Sequence, residues 1–195
     1  MAPGAGATRL SPARDVASLL DVLRRCSLLA DSREDRDADP VSILQHGLQC
    51  AALLAHARPE DQELQVAGLI HDIGHVLVPG DIRNHGRHGG EHVRRLLGGR
   101  VADLVELHVP AKRFLVTIDH RYKESLSLAS CRALVTQGGQ LLPLEVEAFR
   151  AHPAHGDAVM LRRADEAAKV EGLHPGTLEE WHSVLEALAA RHAVA

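Results

Sequence analysis

His71 and Asp72 stand side by side in the run LQVAGLIHDIGHVLV (64–78), with His75 one helical turn further on. At 100° per residue, Val66, Leu69, Ile70, Ile73 and Leu77 form an apolar stripe, and the opposite face carries Leu64, Gly68 and Val78 beside the two imidazoles and the carboxylate. A helix apolar on nearly all sides is buried. A carboxylate buried with it needs a compensating charge, because desolvating it alone costs several kcal/mol or forces it neutral. A metal ion supplies that charge, and adjacent His and Asp are ordinary metal ligands. A single His-Asp pair is more often only hydrogen-bonded or solvated, so further donors have to be found. His46 in HGLQCA, the loop histidines His85, His88 and His92, His108 in ELHVPAKR and Asp165 in LRRADE are the candidates. Imidazoles and carboxylates without thiolate suit iron or manganese, and one carboxylate can bridge two such ions.

These residues have to be positioned by helices. Aromatic residues make up 2% of the chain, so the core is built from Leu, Val, Ile and Ala. No segment alternates as a strand does. A serine cap and proline at Ser11-Pro12 predict a first helix with Val16, Leu19, Leu20 and Leu23 inside. A second helix over 42–56 carries His46, and the central helix over 64–78 starts after Pro59. A Gly- and His-rich loop, DIRNHGRHGGEH (81–92), leads to helical segments at 93–97 and 101–108, with a break after His108 at Pro110. Helices are predicted over 125–137, closing on Gly138-Gly139, over 143–150 and 154–169, and through Trp181, Val184, Leu185 and Leu188. The expected fold is all-α, about eight helices packed around the His-Asp helix. Residues 11–195 are expected to form a single domain after a disordered tail over 1–10. The acidic run DSREDRDAD (31–39) reads as a solvated loop.

Composition excludes several classes. A formal charge of -4 offers no basic field for nucleic acid. No apolar run is long enough for a membrane span or a signal peptide. Three cysteines, Cys26, Cys50 and Cys131, lack paired spacing and read as reduced thiols, which together with the missing leader predicts a cytoplasmic protein.

One histidine, then His-Asp, then a later Asp, with two more histidines between, resembles the two-metal HD-domain proteins. More narrowly, HGLQCA (46–51), LIHDIGH (69–75), RVADLVELHVPAKRFL (100–115), LSLASCRALVTQGG (126–139) and DAVMLRRADEAAK (157–169) resemble the HD-domain mixed-valent di-iron oxygenases that cleave phosphonates. The resemblance covers roughly Asp39 to Trp181, and its specific parts are the HVxAKR, SxxxLxxQGG and LRRxD motifs in this order.

The resemblance implies a ligand set and a pocket. His46, His71, Asp72 and Asp165 would hold one iron, and Asp72 would bridge to a second iron held by His108 and a loop histidine. His85 is preferred for that place, because the family's ligand precedes a Gly-small pair by four residues and a helix-opening Val by sixteen; His88 is the runner-up and His92 meets neither condition. Lys112, Ser130, Gln137 and Arg162 match positions that line the phosphonate pocket, and His75 matches a histidine near the substrate carbon. Lys112 and His75 are thus the candidate catalytic groups. O2 would be the co-substrate, and a small α-hydroxyphosphonate would give phosphate and a carboxylic acid.

Departures also appear. The family's aminophosphonate members carry a Tyr and a Glu ahead of the first histidine, where this chain places Arg36 and Asp39. Asp39 is the candidate contact for a cationic tail. The competing expectation is an HD-type metal-dependent phosphohydrolase acting on a nucleotide or small phosphoester. It would share His46, His71, Asp72 and Asp165 but has no use for a second metal held by His85 and His108. A non-catalytic scaffold fits poorly, since no ligand position is lost.

Overall fold

The structure is a computed structural model and describes residues 11–29 and 41–193. The expectations for the 1–10 tail, the acidic run at 31–39, Arg36 and Asp39 lie outside the described residues. Among the described residues the fold is all-α, with ten α-helices and one 3-10 turn. The helices are α1 (Val16–Cys26), α2 (Ile43–Ala57), α3 (Gln62–Ile70), α4 (Gly74–Leu77), α5 (His85–Ile118), α6 (His120–Ser125), α7 (Leu128–Thr136), α8 (Pro143–Ala151), α9 (His155–Ala167) and α10 (His182–His192).

Helices α2, α3, α5 and α9 pack on one another as the core of the molecule, with α1, α4 and α10 against α5 and its neighbours. Leu54, Leu64, Ile70, Leu104 and Leu161 meet at the centre, fully enclosed. From Leu64 to Ile70 every residue of α3 is buried, as a helix apolar on all sides requires.

The central helix does not run unbroken from 64 to 78, as its periodicity predicts. It stops at Ile70, and a tight turn through His71, Asp72 and Ile73 leads into the short α4. There the backbone changes from i→i−4 to i→i−3 bonding: Ile73 N donates to Ile70 O at 3.2 Å and His75 N to Asp72 O at 3.1 Å. Such tightened turns mark functional sites more often than plain helix does. The His-Asp pair sits in it.

Three other expectations need correction, and one helix is unforeseen. Ser11-Pro12 does not start α1; Asp15 does, accepting from Ser18 N at 2.8 Å while Ser18 Oγ accepts from Asp15 N. This reciprocal box satisfies two orphan N–H groups, which Ser11 is too far upstream to do. The stretch 81–92 is not a loop throughout, because α5 begins at His85. Its glycines are needed for close packing rather than for turns: a methyl on Gly90 would lie 2.7 Å from Ala102 O and 2.4 Å from Glu106 Cγ. Pro110 does not break α5, although an interior proline forfeits an N–H bond and crowds the carbonyl four residues earlier; the packing of α5 against its neighbours outweighs that cost. The interruption lies at Gly98, with φ 89° and ψ 171°, between the segments expected at 93–97 and 101–108. α6 carries no apolar period of its own and is not legible in the sequence; Asp119 caps it, accepting from Tyr122 N at 3.1 Å.

One ion-pair network ties the bundle's elements together. Arg100, on α5, holds both oxygens of Asp61 at 2.7 Å, Glu63 at 3.0 Å and Asp157 at 2.8 Å. The Arg100 guanidinium keeps the Asp61 carboxyl below its usual range. Bidentate pairing fixes α3 and α9 against α5.

Candidate metal centre

Four elements contribute to one buried cluster. His46 comes from α2, His71 and Asp72 from the tight turn, His85 from the start of α5, His108 from its second half, and Asp165 from α9. The side chains fall into two groups that could each hold a metal ion, His46 with His71 and Asp165, and Asp72 with His85 and His108.

Asp72 lies between the groups and faces both. Its Oδ2 is 3.4 Å from His71 Nε2 and 3.9 Å from His46 Nε2, and its Oδ1 is 3.2 Å from His85 Nε2 and 3.6 Å from His108 Nε2. Asp165 Oδ1 completes the first group, 3.1 Å from His46 Nε2 and 3.7 Å from His71 Nε2.

The tautomers follow from the backbone. His71, His85 and His108 each place Nδ1 on the carbonyl three residues earlier, Gly68 at 2.8 Å, Ile82 at 2.7 Å and Val105 at 2.6 Å. His46 Nδ1 is 3.3 Å from Ala168 O. His46 is not fixed in this way, since its Nε2 also lies 3.1 Å from the acceptor Asp165 Oδ1. For His71, His85 and His108 the carbonyl only accepts, so Nδ1 carries a proton and Nε2 is the atom turned to the cluster, free as a ligand in the neutral ring. That is the outer hydrogen-bonding that metal-bound histidines show. His71 Nε2 is buried without a hydrogen-bond partner. The donor set fits a pair of metal ions.

Electrostatics agree. Burial opposes charge on Asp72, but the neighbouring imidazoles, His71 first, hold its carboxyl well below the usual range. Burial likewise opposes charge on Asp165, which Arg162 and then His71 hold well below it. His71 is pushed well above the ordinary imidazole value: burial resists, and the Asp72 and Asp165 carboxylates prevail. Both carboxylates are therefore held in the ionised form, the form that can ligate a cation. Burial pushes the Cys26 and Cys50 thiols up to about 12, so neither offers a thiolate.

The cluster opens into a cavity of about 570 Å³. His75 lies at this opening, stacked on His85 with ring centroids 4.1 Å apart, its Nε2 3.9 Å from Asp72 Oδ1. Lys112, Ser130, Gln137 and Arg162 line the same cavity, all buried. Burial, and then the charge of Arg162, bring the Lys112 ammonium down to about 8. The Arg162 pair with Glu166, which alone would suggest a surface bridge, instead joins a buried guanidinium to a half-buried carboxylate. Arg162 also binds Asp165, and its Nε donates to Tyr122 Oη at 2.6 Å. Ser130 Oγ lies 3.4 Å from Glu166.

The three loop histidines separate. His85 joins the cluster, whereas His88 Nε2 pairs with Asp81 Oδ2 at 2.8 Å and His92 turns to a different recess with Ser11 and Pro12. Sequence reasoning considered Glu166 only as a surface partner of Arg162 and did not single out Tyr122, Arg132 or Lys169. Tyr122 and Glu166 hold Arg162, and Arg132 and Lys169 line the cavity. An Arg with two acids at i+3 and i+4 was the available signal for Glu166.

Fold and site together define an all-helical HD metalloprotein. A family model for the HD domain matches residues 43–131. The chain is 36% identical over 185 residues to hydroxymethylphosphonate dioxygenase of Gimesia maris, across 90% of this chain and 89% of that protein. It is 32% identical over 162 residues to [1-hydroxy-2-(trimethylamino)ethyl]phosphonate dioxygenase (glycine-betaine-forming) of Leisingera caerulea, across 78% of this chain and 81% of that one. The chain belongs to the HD-domain family of phosphonate-cleaving oxygenases. Among the described residues no helix is long and apolar enough to cross a membrane.

Proposed function

We propose that residues 11–195 act as one HD domain that uses O2 to cleave the C–P bond of a small α-hydroxyphosphonate, with two irons in a mixed-valent Fe(II)/Fe(III) state as cofactor. The observation that carries this reading is Asp72, whose two oxygens face two separate imidazole groups beside a cavity bearing Lys112 and Arg162. A mononuclear hydrolase needs only the first group.

His46, His71, Asp72 and Asp165 would hold one iron, and Asp72, His85 and His108 the other. When bound, the irons supply Lewis acidity toward the substrate hydroxyl and the electrons for O2 chemistry. The chain's own residues bind and orient. The Lys112 ammonium and the Arg162 guanidinium neutralise the phosphonate dianion, and Ser130 and Gln137 complete its hydrogen bonds. His75, at the cavity opening against Asp72, lies beside the place where the substrate's reacting carbon would sit and can hold a proton there at Nε2.

The tail of the substrate is small and uncharged in this reading. Among the described residues the carboxylates lining the cavity are Asp72 and Asp165, both in the metal cluster. A trimethylammonium or amine tail finds no further acid on that wall. Hydroxymethylphosphonate fits best, and one O2 added across it balances to phosphate and formate.

The test is metal analysis with EPR on anaerobically purified protein, together with O2 uptake and phosphate release. Hydroxymethylphosphonate should be turned over ahead of the 1-hydroxy-2-aminoethyl and trimethylated phosphonates, with two irons per chain. Turnover of a nucleoside monophosphate with a single Mn or Zn, and of no phosphonate, would replace this reading with the hydrolase. Preference for a cationic substrate would bring Asp39 into the site.

A further inference from the structure

On the outer side of Gln137 lies a second recess of about 220 Å³, distinct from the metal cavity but sharing that residue as a wall. Three guanidinium-bearing residues line it, Arg83, Arg87 and Arg113, together with the first turn of α5 at Asn84 and Gly86. Asn84 makes no side-chain cap there, so the first N–H groups of a helical segment that runs unkinked to Gly98 are left without a capping side chain. Helix N-termini of this kind attract anions through their N–H groups and the dipole behind them. Gln137 is only 4% exposed, and its amide oxygen has no partner. As its amide can be turned either way, it can present N–H donors to the recess.

Negative charge in the recess is partly offset, by an Arg94 guanidinium that Glu106 shares with Asp103. The carboxylate on its wall, Glu106, accepts from Arg94 at 2.8 Å. Arg113 spends its Nε on Gly139 O at 3.0 Å and one terminal nitrogen on Gln140 O and Glu145, which pins its guanidinium in place. Arg87 is held only loosely, 3.8 Å from Glu91.

We propose that this recess is a second oxyanion site, taking a tetrahedral dianion of the phosphate class. Arg83 and Arg87 supply charge, the α5 N-terminus supplies N–H donors, and Gln137 closes the inner wall. The proposal rests on the functional reading above only for its link to turnover: an anion so placed is one residue from the cavity where phosphate would be released. Binding itself does not depend on that reading.

Inorganic phosphate, titrated calorimetrically into the full chain with its metal bound, tests this. The wild type is expected to take up two phosphates. Lys112→Ala should lose the cavity site and keep the outer one, while Arg83→Ala/Arg87→Ala should lose the outer one, with at least a tenfold drop in its affinity, and keep the cavity site. Helicity and metal content, read by circular dichroism and metal analysis, should be unchanged in Arg83→Ala/Arg87→Ala. A single phosphate abolished by Lys112→Ala, or displacement from the outer site by chloride at equal ionic strength as readily as by sulfate, would overturn the proposal. Loss of the cavity site's phosphate in the wild type, with the outer one retained, would count against the phosphonate reading and leave this one standing. If phosphate released in turnover uses the site, its inhibition should be partly noncompetitive in the wild type and purely competitive in Arg83→Ala/Arg87→Ala.

Discussion

The Nε2 atoms of His85 and His108 are 2.8 Å apart, although the Nδ1 of each already donates to a backbone carbonyl. Two lone pairs therefore face each other, 3.2 and 3.6 Å from Asp72 Oδ1. A proton is a poor mediator here, because burial, and then the neighbouring His85 and His71, hold His108 well below the ordinary imidazole value. A divalent cation turns the opposed lone pairs into ligands.

Asp72→Ala should lose metal from both groups, whereas His108→Ala should keep the first partly filled. The contrast follows from one carboxylate facing both groups and one imidazole facing a single group. Iron content per chain measures it, and equal loss in the two variants would refute the bridging role.

His85→Ala should lower iron content, and His88→Ala should not. His88 is engaged with Asp81, so its removal is expected to lower stability instead. Thermal unfolding and metal analysis of both variants separate the two; the reverse ranking would give His88 the ligand role.

Substrate capture should fall as pH rises above about 8, where Lys112 in the free protein gives up its proton. The sign follows from the charge: burial lowers the ammonium's pKa, so the form that attracts the phosphonate is the one lost on the alkaline side. The pH profile of kcat/KM reports free-enzyme groups. Lys112→Arg should push that limb beyond the measurable range, and an unchanged limb would assign it elsewhere. Lys112→Ala should weaken capture about tenfold to a hundredfold, since a charged hydrogen bond contributes on the order of 1.5–3 kcal/mol.

Arg162→Ala should weaken capture similarly but also disturb the first metal group. Arg162 binds Asp165 directly, and removing a residue that orients a ligand typically costs 10–100-fold in metal affinity. Metal titration of Arg162→Ala beside Lys112→Ala is the check: affinity should drop only in the former.

Gly74→Ala should be destabilised by about 1–3 kcal/mol and hold the second metal poorly. A methyl there would lie 1.9 Å from His85 O, so α4 and the start of α5 must part. Unfolding midpoint and iron content of this variant measure the effect.

Chemistry-bearing residue types were legible because they are local. The buried character of 64–70 and the stop at Gly138-Gly139 follow from side-chain period and backbone geometry within a few residues. The resemblance added which distant histidines and acids to gather. The tertiary structure decided what no local pattern contains. The turn at 71–73 replaces continuous helix, α5 runs through Pro110, and His85 rather than His88 reaches Asp72. In each case packing overrode local preference: the apolar faces of α2, α3, α5 and α9 had to close on one another. Where 122, 162 and 166 meet depends on that closure, because their approach spans forty residues of chain.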